Sequence, residues 1–311
     1  VPAVDLVTGA FGYTGSRIAS RLVEAGRRVL TLTRRAPGDH PLAGRVEQLS
    51  YDFSADALGA ALAGVDTVYV TYWMRFPRGG GTWGEIVDNV ARLAQASAAA
   101  GVRRLVYISV SNAAHDSSTA YFRAKAAAED AVRAAASGAG SLSTAIIRPT
   151  LLYGESDILI NNMAWTLRRL PVFGVPGDGR YRVQPVHVED VADLAISLAA
   201  RDDAIEMDAA GPETLTFNAV VEIVRAAVRS RALVVHLPPL LVLGSTRVIG
   251  LAVRDVVLTR DEIRELMESL LVSAAPPTTP TVFSEWVSAH ANSIGRRYSS
   301  ELGRNFRIER A

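Results

Sequence analysis

The sequence predicts an α/β protein: a doubly wound parallel sheet of about seven strands, with a smaller, mostly helical C-terminal lobe. Three observations predict it. Short apolar runs of strand length alternate with amphipathic stretches over the first 150 residues, the order that builds parallel sheets through helical crossovers. The first apolar run ends in Gly9-Ala10-Phe11-Gly12-Tyr13-Thr14-Gly15, which opens directly into a helical pattern. After Leu151 the alternation becomes irregular, and it returns around residue 183. The expected organisation is a first domain of residues 1–150 plus 183–210, and a second lobe of 151–182 plus 211–311.

Composition narrows the function classes. Hydrophobic residues at 49% and charged residues at 21% describe a folded globular chain rather than a disordered one. A formal net charge of +1 gives no field for nucleic acid, and the Arg-Arg pairs are scattered, so no nucleic-acid partner is expected. The chain has no cysteine, which removes disulfides, thiolate metal sites and a cysteine nucleophile. The five histidines (40, 115, 187, 236, 290) lack metal-ligand spacing, so no metal is expected. An apolar run begins almost at residue 1, so no secretory leader is expected and the expected location is cytoplasmic. A chain opening on Val without an initiator Met is expected to lack a few native residues. Residues 232–253 are apolar with a single Arg. Pro238-Pro239 and Gly244 interrupt them, so the expectation is a buried or surface-docked segment rather than a transmembrane span, with peripheral membrane contact left open.

Taken in order, the elements justify themselves. Ala3 to Thr8 reads as a strand, and Ile18, Leu22 and Val23 carry the helix that stops at Gly26. Glycines at 9, 12 and 15 allow a tight turn, close approach to a pyrophosphate and packing of the helix on the strand. This is a dinucleotide-binding arrangement, with Gly9, Phe11, Gly12, Tyr13, Thr14 and Gly15 as its expected cofactor contacts. The second strand, Arg28 to Thr33, ends without the carboxylate that holds an NAD ribose and presents Arg34 and Arg35 instead. Two guanidiniums suit a 2′-phosphate, so NADP(H) is expected in preference to NAD(H).

The third strand, Val46 to Tyr51, is closed by Asp52 and Phe53; Asp52 can approach an adenine edge or cap the next helix. The fourth, Thr67 to Tyr72, brings Thr71 to the same rim and leads into an irregular loop from Trp73 to Trp83, whose aromatics can cover a substrate or pack locally. A helix over Glu85 to Ala100 precedes the fifth strand, Leu105 to Ser109. A sixth, Thr144 to Ile147, runs into Pro149 and Thr150, also expected at the rim. Beyond it come a helix around Ile158 to Leu170, an extended Val183 to Val188, a helix from Glu189 and a last strand at Ile205 to Ala209. Thr259-Arg260-Asp261-Glu262 has the spacing of a capping box. A final helix after the proline cluster at 276–280 is expected to carry Trp286 and Tyr298.

One position carries the chemistry. Lys125 is the sole lysine among 33 basic residues, and it lies four residues after Tyr121, one helical turn away on the same face. A phenol with a pKa near 10 needs a nearby cation to work close to neutrality, and a compact ammonium does this while also holding sugar hydroxyls. An exposed Tyr and Lys on an ordinary amphipathic helix is the plainer alternative.

The motifs VTGAFGYTG, Tyr121-x-x-x-Lys125 and IIRPTLLYG (146–154) resemble the short-chain dehydrogenase/reductase superfamily, in its extended or atypical branches. YFRAKAAAE, ILINNMAWTLRRLPVFGVPGDG, QPVHVEDVA, AAGPETLTF, LTRDEI and WVSAHANSIGRRYSSELGR resemble bacterial NAD(P)H-binding epimerase/dehydratase-like proteins, which are related to the NADPH-binding accessory subunit of respiratory complex I. The resemblance covers essentially the whole chain. It implies a Rossmann domain, a substrate lobe, Tyr121 as general acid-base, and Lys125 on the nicotinamide ribose. It also implies a Ser or Thr just past the fifth strand, where this chain has Val110 between Ser109 and Ser111. Either serine can supply the hydroxyl, Ser111 being the first choice. The expected function is hydride transfer at a carbonyl or hydroxyl of a small molecule. The alternative is a cofactor-binding structural, assembly or redox-sensing protein in contact with a respiratory complex. Arg168, Arg169, Arg180 and Arg182 leave a phosphate-bearing substrate open; substrate identity and oligomeric state are not legible.

Overall fold

The fold is taken from a computed structural model that describes residues 3–34, 37–79, 81–138, 141–155 and 157–305. Strand β1 (Val4–Val7) ends at the glycine turn and leads to helix α1 (Tyr13–Glu24), whose buried face is Gly15, Ile18, Ala19 and Leu22. There follow β2 (Arg28–Leu32), β3 (Glu47–Leu49), α2 (Ala55–Leu62), β4 (Val65–Val70), α3 (Trp83–Ala99), β5 (Arg104–Ile108), α4 (Ala120–Ala136) and β6 (Ser143–Pro149). Then come β7 (Leu151–Tyr153), α5 (Leu159–Arg169), β8 (Val172–Pro176), β9 (Arg182–Val183), β10 (Pro185–His187), α6 (Val188–Ala199) and β11 (Ile205–Ala209). The chain continues through β12 (Leu215–Thr216), α7 (Phe217–Ala227), β13 (Leu233–Leu237), α8 (Pro239–Val253), α9 (Arg260–Met267), α10 (Phe283–Ala289) and α11 (Glu301–Asn305).

Seven strands form one sheet in the order β11-β6-β5-β4-β1-β2-β3. The pairings from β3 across to β6 are parallel. Central strands of such a sheet are covered on both faces, and β5 is buried along its whole length. The chain passes from β1 outward to β2 on one side and to β4 on the other, so the switch point lies where the glycine turn leaves β1.

Two compact units result, Val1–Arg148 with Val191–Met207, and Pro149–Asp190 with Asp208–Ala311. The core of the first joins Leu6, Val68, Leu105 and Ile146 of the sheet to Leu58, Val90 and Val132 of its helices. That of the second gathers Tyr153, Ile160, Val175, Phe217, Val220 and Phe283, among others.

The strand bounds differ by one or two residues from those expected at several ends, and β11 coincides. Two assignments are corrected. The extended run 183–188 is two short strands, because Gln184 turns its N–H to the Leu271 carbonyl (3.0 Å) and its side-chain amide to that of Gly211 (2.8 Å). Tyr298 is not on the helix of Trp286. That helix ends before His290, whose ring stacks on Trp286, and the backbone then reverses through Gly295 at φ 68°. A Cβ at Gly295 would lie 2.4 Å from a backbone atom of Ala164, and Tyr298 packs on Trp165 instead. The capping box at Thr259 is present: Thr259 Oγ1 accepts from Glu262 N, and Glu262 Oε2 accepts from Thr259 N.

A charge network ties the N-terminal ends of the strands. Asp5 on β1 is fully buried, and its carboxylate accepts from Arg27 Nη2 at 2.6 Å. Burial pushes the Asp5 carboxyl above its usual range, and Arg27 pulls it back. Asp66 on β4 accepts from both Arg27 and Arg103, and the Arg103 hydrogen bond holds it down at about 2. Removing one partner of a buried pair leaves an uncompensated charge. Arg27→Ala is therefore expected to cost about 3–5 kcal/mol in urea unfolding; a cost within the scatter of ordinary surface substitutions would refute the assignment.

Candidate functional site

The glycine turn is held by close backbone approach. Gly9 adopts φ 68°, and its N–H reaches the Leu32 carbonyl at 3.1 Å. Ala10 N donates to Thr31 Oγ1 (3.1 Å), and Gly12 N to the Gly9 carbonyl (2.7 Å). A Cβ added to Gly15 would lie 2.3 Å from the Gly9 oxygen and 2.8 Å from Thr71 Oγ1, so no side chain fits there. Thr8 Oγ1 accepts from the N–H groups of Thr71 and Tyr72, both at 2.9 Å, while the Thr71 hydroxyl donates to the Thr8 carbonyl. The first turn of α1 follows with Gly12 at its N-cap, which makes no side-chain capping bond. An open cradle of backbone, kept clear of side chains and ending on an uncapped helix, fits a dinucleotide pyrophosphate.

Other expected cofactor residues fall as follows. Phe11 is buried against His40 (5.4 Å), and Tyr13 and Thr14 open α1. Arg34 is exposed past the end of β2, its guanidinium 4.2 Å over the Tyr51 ring. Arg35 lies outside the described residues. Asp52 Oδ1 accepts from Ser54 N at 2.8 Å in a local turn, and it is the Ser54 side chain that caps α2, by accepting from Ala57 N. Phe53 is buried beside Tyr51 and Tyr72 (5.2 and 5.4 Å). Pro149 closes β6, and Thr150 is buried with its N–H and hydroxyl both on the Ala209 carbonyl.

Helix α4 places Lys125 in an apolar setting. Its ammonium is buried, donates to the Ile108 carbonyl at the end of β5 (2.8 Å), and lies 3.9 Å over the Trp73 ring and 5.0 Å over Tyr107. Desolvation pulls it down to about 7, and the Glu129 carboxylate one turn further along only partly restores it. Glu129 is itself bound to Arg133 and Arg148. Tyr121, half-buried, meets Trp73 and Trp83 edge to face at 6.0 and 5.6 Å, and the two indoles stack at 5.8 Å. Trp73 and Trp83 thus pack on Tyr121, and Trp73 also covers the Lys125 ammonium.

Burial pushes the Tyr107 phenol well above its usual range, and Ser109, itself buried beside it, offsets only a small part of that rise. Val110 and Ser111 are also buried, Ser111 completely. Two residues at this site, Tyr107 and Thr119, escaped sequence reading. Tyr107 forms the floor under Lys125. Thr119, which precedes α4, has a buried hydroxyl with no partner among the described residues, and so does the Trp73 indole N–H. No sequence signal singled out Thr119, the last residue of the polar run 115–119. Arg168 and Arg169 donate to carbonyls of residues 291–296, a structural use that takes them out of phosphate binding.

The model of the NAD dependent epimerase/dehydratase family matches residues 6–210. The chain belongs to that family. A curated relative, the NADH dehydrogenase [ubiquinone] 1 alpha subcomplex subunit 9 of Arabidopsis thaliana, is 28% identical over 249 residues, 76% of this chain and 60% of that protein. The 2-alkyl-3-oxoalkanoate reductase of Stenotrophomonas maltophilia is 29% identical over 60% of this chain and 62% of its own length. The chain thus spans about three fifths of either relative. Among solved structures, MoeE5 in complex with UDP-glucose and NAD superposes with a TM-score of 0.68 at 21% identity, over 93% of this chain and 97% of that one. That likeness establishes the Rossmann-like α/β fold.

Because Lys125 is held at about 7 in the folded chain against 10.5 ordinarily, the unfolded state binds more protons between those values. Its burial penalty is complete below about 7 and fades as pH rises to about 10.5. Lys125→Met is therefore expected to stabilise the cofactor-free protein, by an advantage that grows as pH falls across that window and then levels off. Urea unfolding of both proteins at several pH values measures it, and an advantage independent of pH would refute the buried ammonium.

Proposed function

We propose that the protein is an NADP(H)-dependent oxidoreductase or epimerase acting at a carbonyl or hydroxyl of a small molecule. The observation that carries the proposal is the Lys125 ammonium, buried at the end of β5 one turn from Tyr121, in a chain that uses arginine everywhere else. Burying a cation against its solvation is costly, and sites that do so are enriched in function.

In this reading Gly9, Gly12 and Gly15 admit the pyrophosphate, and Phe11, Tyr13, Thr14, Thr71 and Phe53 line the cofactor. Arg34, which forms no ion pair among the described residues and lies just past β2 where a carboxylate would favour NAD, is the group for a 2′-phosphate. The bound nicotinamide would supply or accept the hydride. Tyr121 gives its proton to the substrate oxygen during reduction and takes it back in the reverse direction. Lys125 holds ribose hydroxyls and, when charged, favours the phenolate. Ser109 or Ser111 orients the substrate oxygen, and the closeness of Ser109 to Tyr107 beneath Lys125 supports Ser109. The engagement of Arg168 and Arg169 elsewhere, with Trp73 and Trp83 around Tyr121, supports a largely apolar substrate over a nucleotide sugar.

Two observations favour a second reading: Val110 stands where a hydroxyl is expected, and relatives include subunits of an NADH dehydrogenase. On that reading the chain binds cofactor as an assembly or sensing partner and turns nothing over. Removing a positioned acid-base group typically lowers rate by about 10²–10⁴-fold. A screen of ketones and alcohols with NADPH and NADH should therefore find a substrate whose turnover falls at least about 100-fold in Tyr121→Phe, with cofactor affinity little changed. Turnover that survives the substitution would defeat the catalytic role. In the same assay Arg34→Ala should weaken NADPH more than NADH.

A further inference from the structure

Helix α8 is built against expectation for a surface helix. Pro239 sits at its first turn, and Arg254 ends it in the left-handed region, with Asp255 N closing onto the Gly250 carbonyl at 2.9 Å. Its inward side is thin: Val242 and Leu243 meet Ile263, Leu237 and Leu258, and Gly250 abuts the Asp255 carbonyl. Its outward side carries Leu240, Leu241, Val248 and Leu251, between 59% and 81% exposed. At 100° per residue these and Gly244 form one stripe, and the helix is about 22 Å long. Arg247 and Arg254, seven residues apart, lie along one flank of the stripe and pair with no carboxylate among the described residues. From residue 223 to 254 the chain holds five arginines and no Asp or Glu, although the whole molecule is nearly neutral. The nearest carboxylate, Asp255, is buried, where it accepts from the N–H groups of Glu301 and Leu302.

From these features we infer that the outer face of α8 docks on an anionic lipid surface, lying in the plane of the headgroups. A leucine-rich stripe beside unpaired arginines matches the boundary between acyl chains and acidic headgroups, where apolar burial and charge act together. A protein groove would satisfy the leucines, but it gives no reason for a stretch swept clear of carboxylates. No helix among the described residues is long and apolar enough to cross a membrane, and α8, at 15 residues, is too short to do so. The attachment is therefore peripheral.

The test is co-sedimentation of the full chain with vesicles of phosphatidylcholine alone and of phosphatidylcholine with an equal amount of phosphatidylglycerol. Binding is expected to the anionic vesicles, to weaken with added salt, and to be lost in Leu240→Gln/Val248→Gln/Leu251→Gln. Arg247→Gln/Arg254→Gln should lower the anionic-vesicle affinity roughly 30-fold, at about one kcal/mol per arginine. Exposed positions tolerate such changes, so unaltered thermal unfolding of both variants verifies folding. Absence of vesicle binding overturns the inference, as does equal binding to neutral vesicles or binding that survives the leucine substitutions. A concentration-dependent dimer that the leucine variant abolishes, without vesicle binding, would overturn it in favour of a second copy on this face.

Discussion

The molecule turns on the contact between Gly9 and Gly15. With a side chain at position 15, the first turn of α1 could not rest against the Gly9 carbonyl and the Thr71 hydroxyl. That contact joins three strand ends at one rim. Gly9 and Ala10 bond to β2 through Leu32 and Thr31, and Thr8 and Thr71 bond β1 to β4. Parallel strands pair only through long crossovers, so their ends are aligned by such local clasps rather than by hairpins. The helix N-terminus that follows the turn, with no side-chain cap at Gly12, is a by-product of this packing, and it is what an anion requires.

A second constraint opposes the first in kind. The glycine turn is sterically satisfied, whereas Lys125 is a stability defect kept in place. Its ammonium has a carbonyl, two aromatic faces and one carboxylate a turn away, and burial still dominates. The Glu129 carboxylate that could rescue it is spent mainly on Arg133 and Arg148, which also share Glu206. An arginine could not be accommodated in this way, because its guanidinium does not give up its proton and presents five donors to be satisfied. A cation able to change its charge near neutrality, placed beside a phenol, is chemically more useful than a permanent one.

Aromatic residues define the surroundings of that pair. Trp73, Trp83 and Tyr107 surround Lys125 and Tyr121 with faces and edges, which lowers the local dielectric and strengthens each remaining electrostatic contact. Buried donors without partners among the described residues, on Trp73 and Thr119, sit in the segments that bring these rings and Tyr121 together. Polar atoms left in this way are expensive, and they acquire a purpose when a ligand supplies the acceptor.

The sequence alone determined what depends on near neighbours. Strand and helix periods along residues 4–150, the glycine spacing at 9, 12 and 15, the Thr259 capping box and the one-turn offset of Tyr121 from Lys125 are all local patterns, legible because backbone geometry repeats every two or 3.6 residues. What depended on distant parts of the chain was not legible. Gln184 split a strand because Leu271 and Gly211 offered its groups better partners, and Gly295 turned Tyr298 away from the helix of Trp286. Arg168 and Arg169, open as phosphate ligands in the sequence, were committed to carbonyls more than 120 residues away. Above all, the sole lysine announced a special position, but only the packing of Trp73 and Tyr107 around it decided that the ammonium would be dry. Burial is a property of what the rest of the fold brings to a site, and no period in the sequence encodes it.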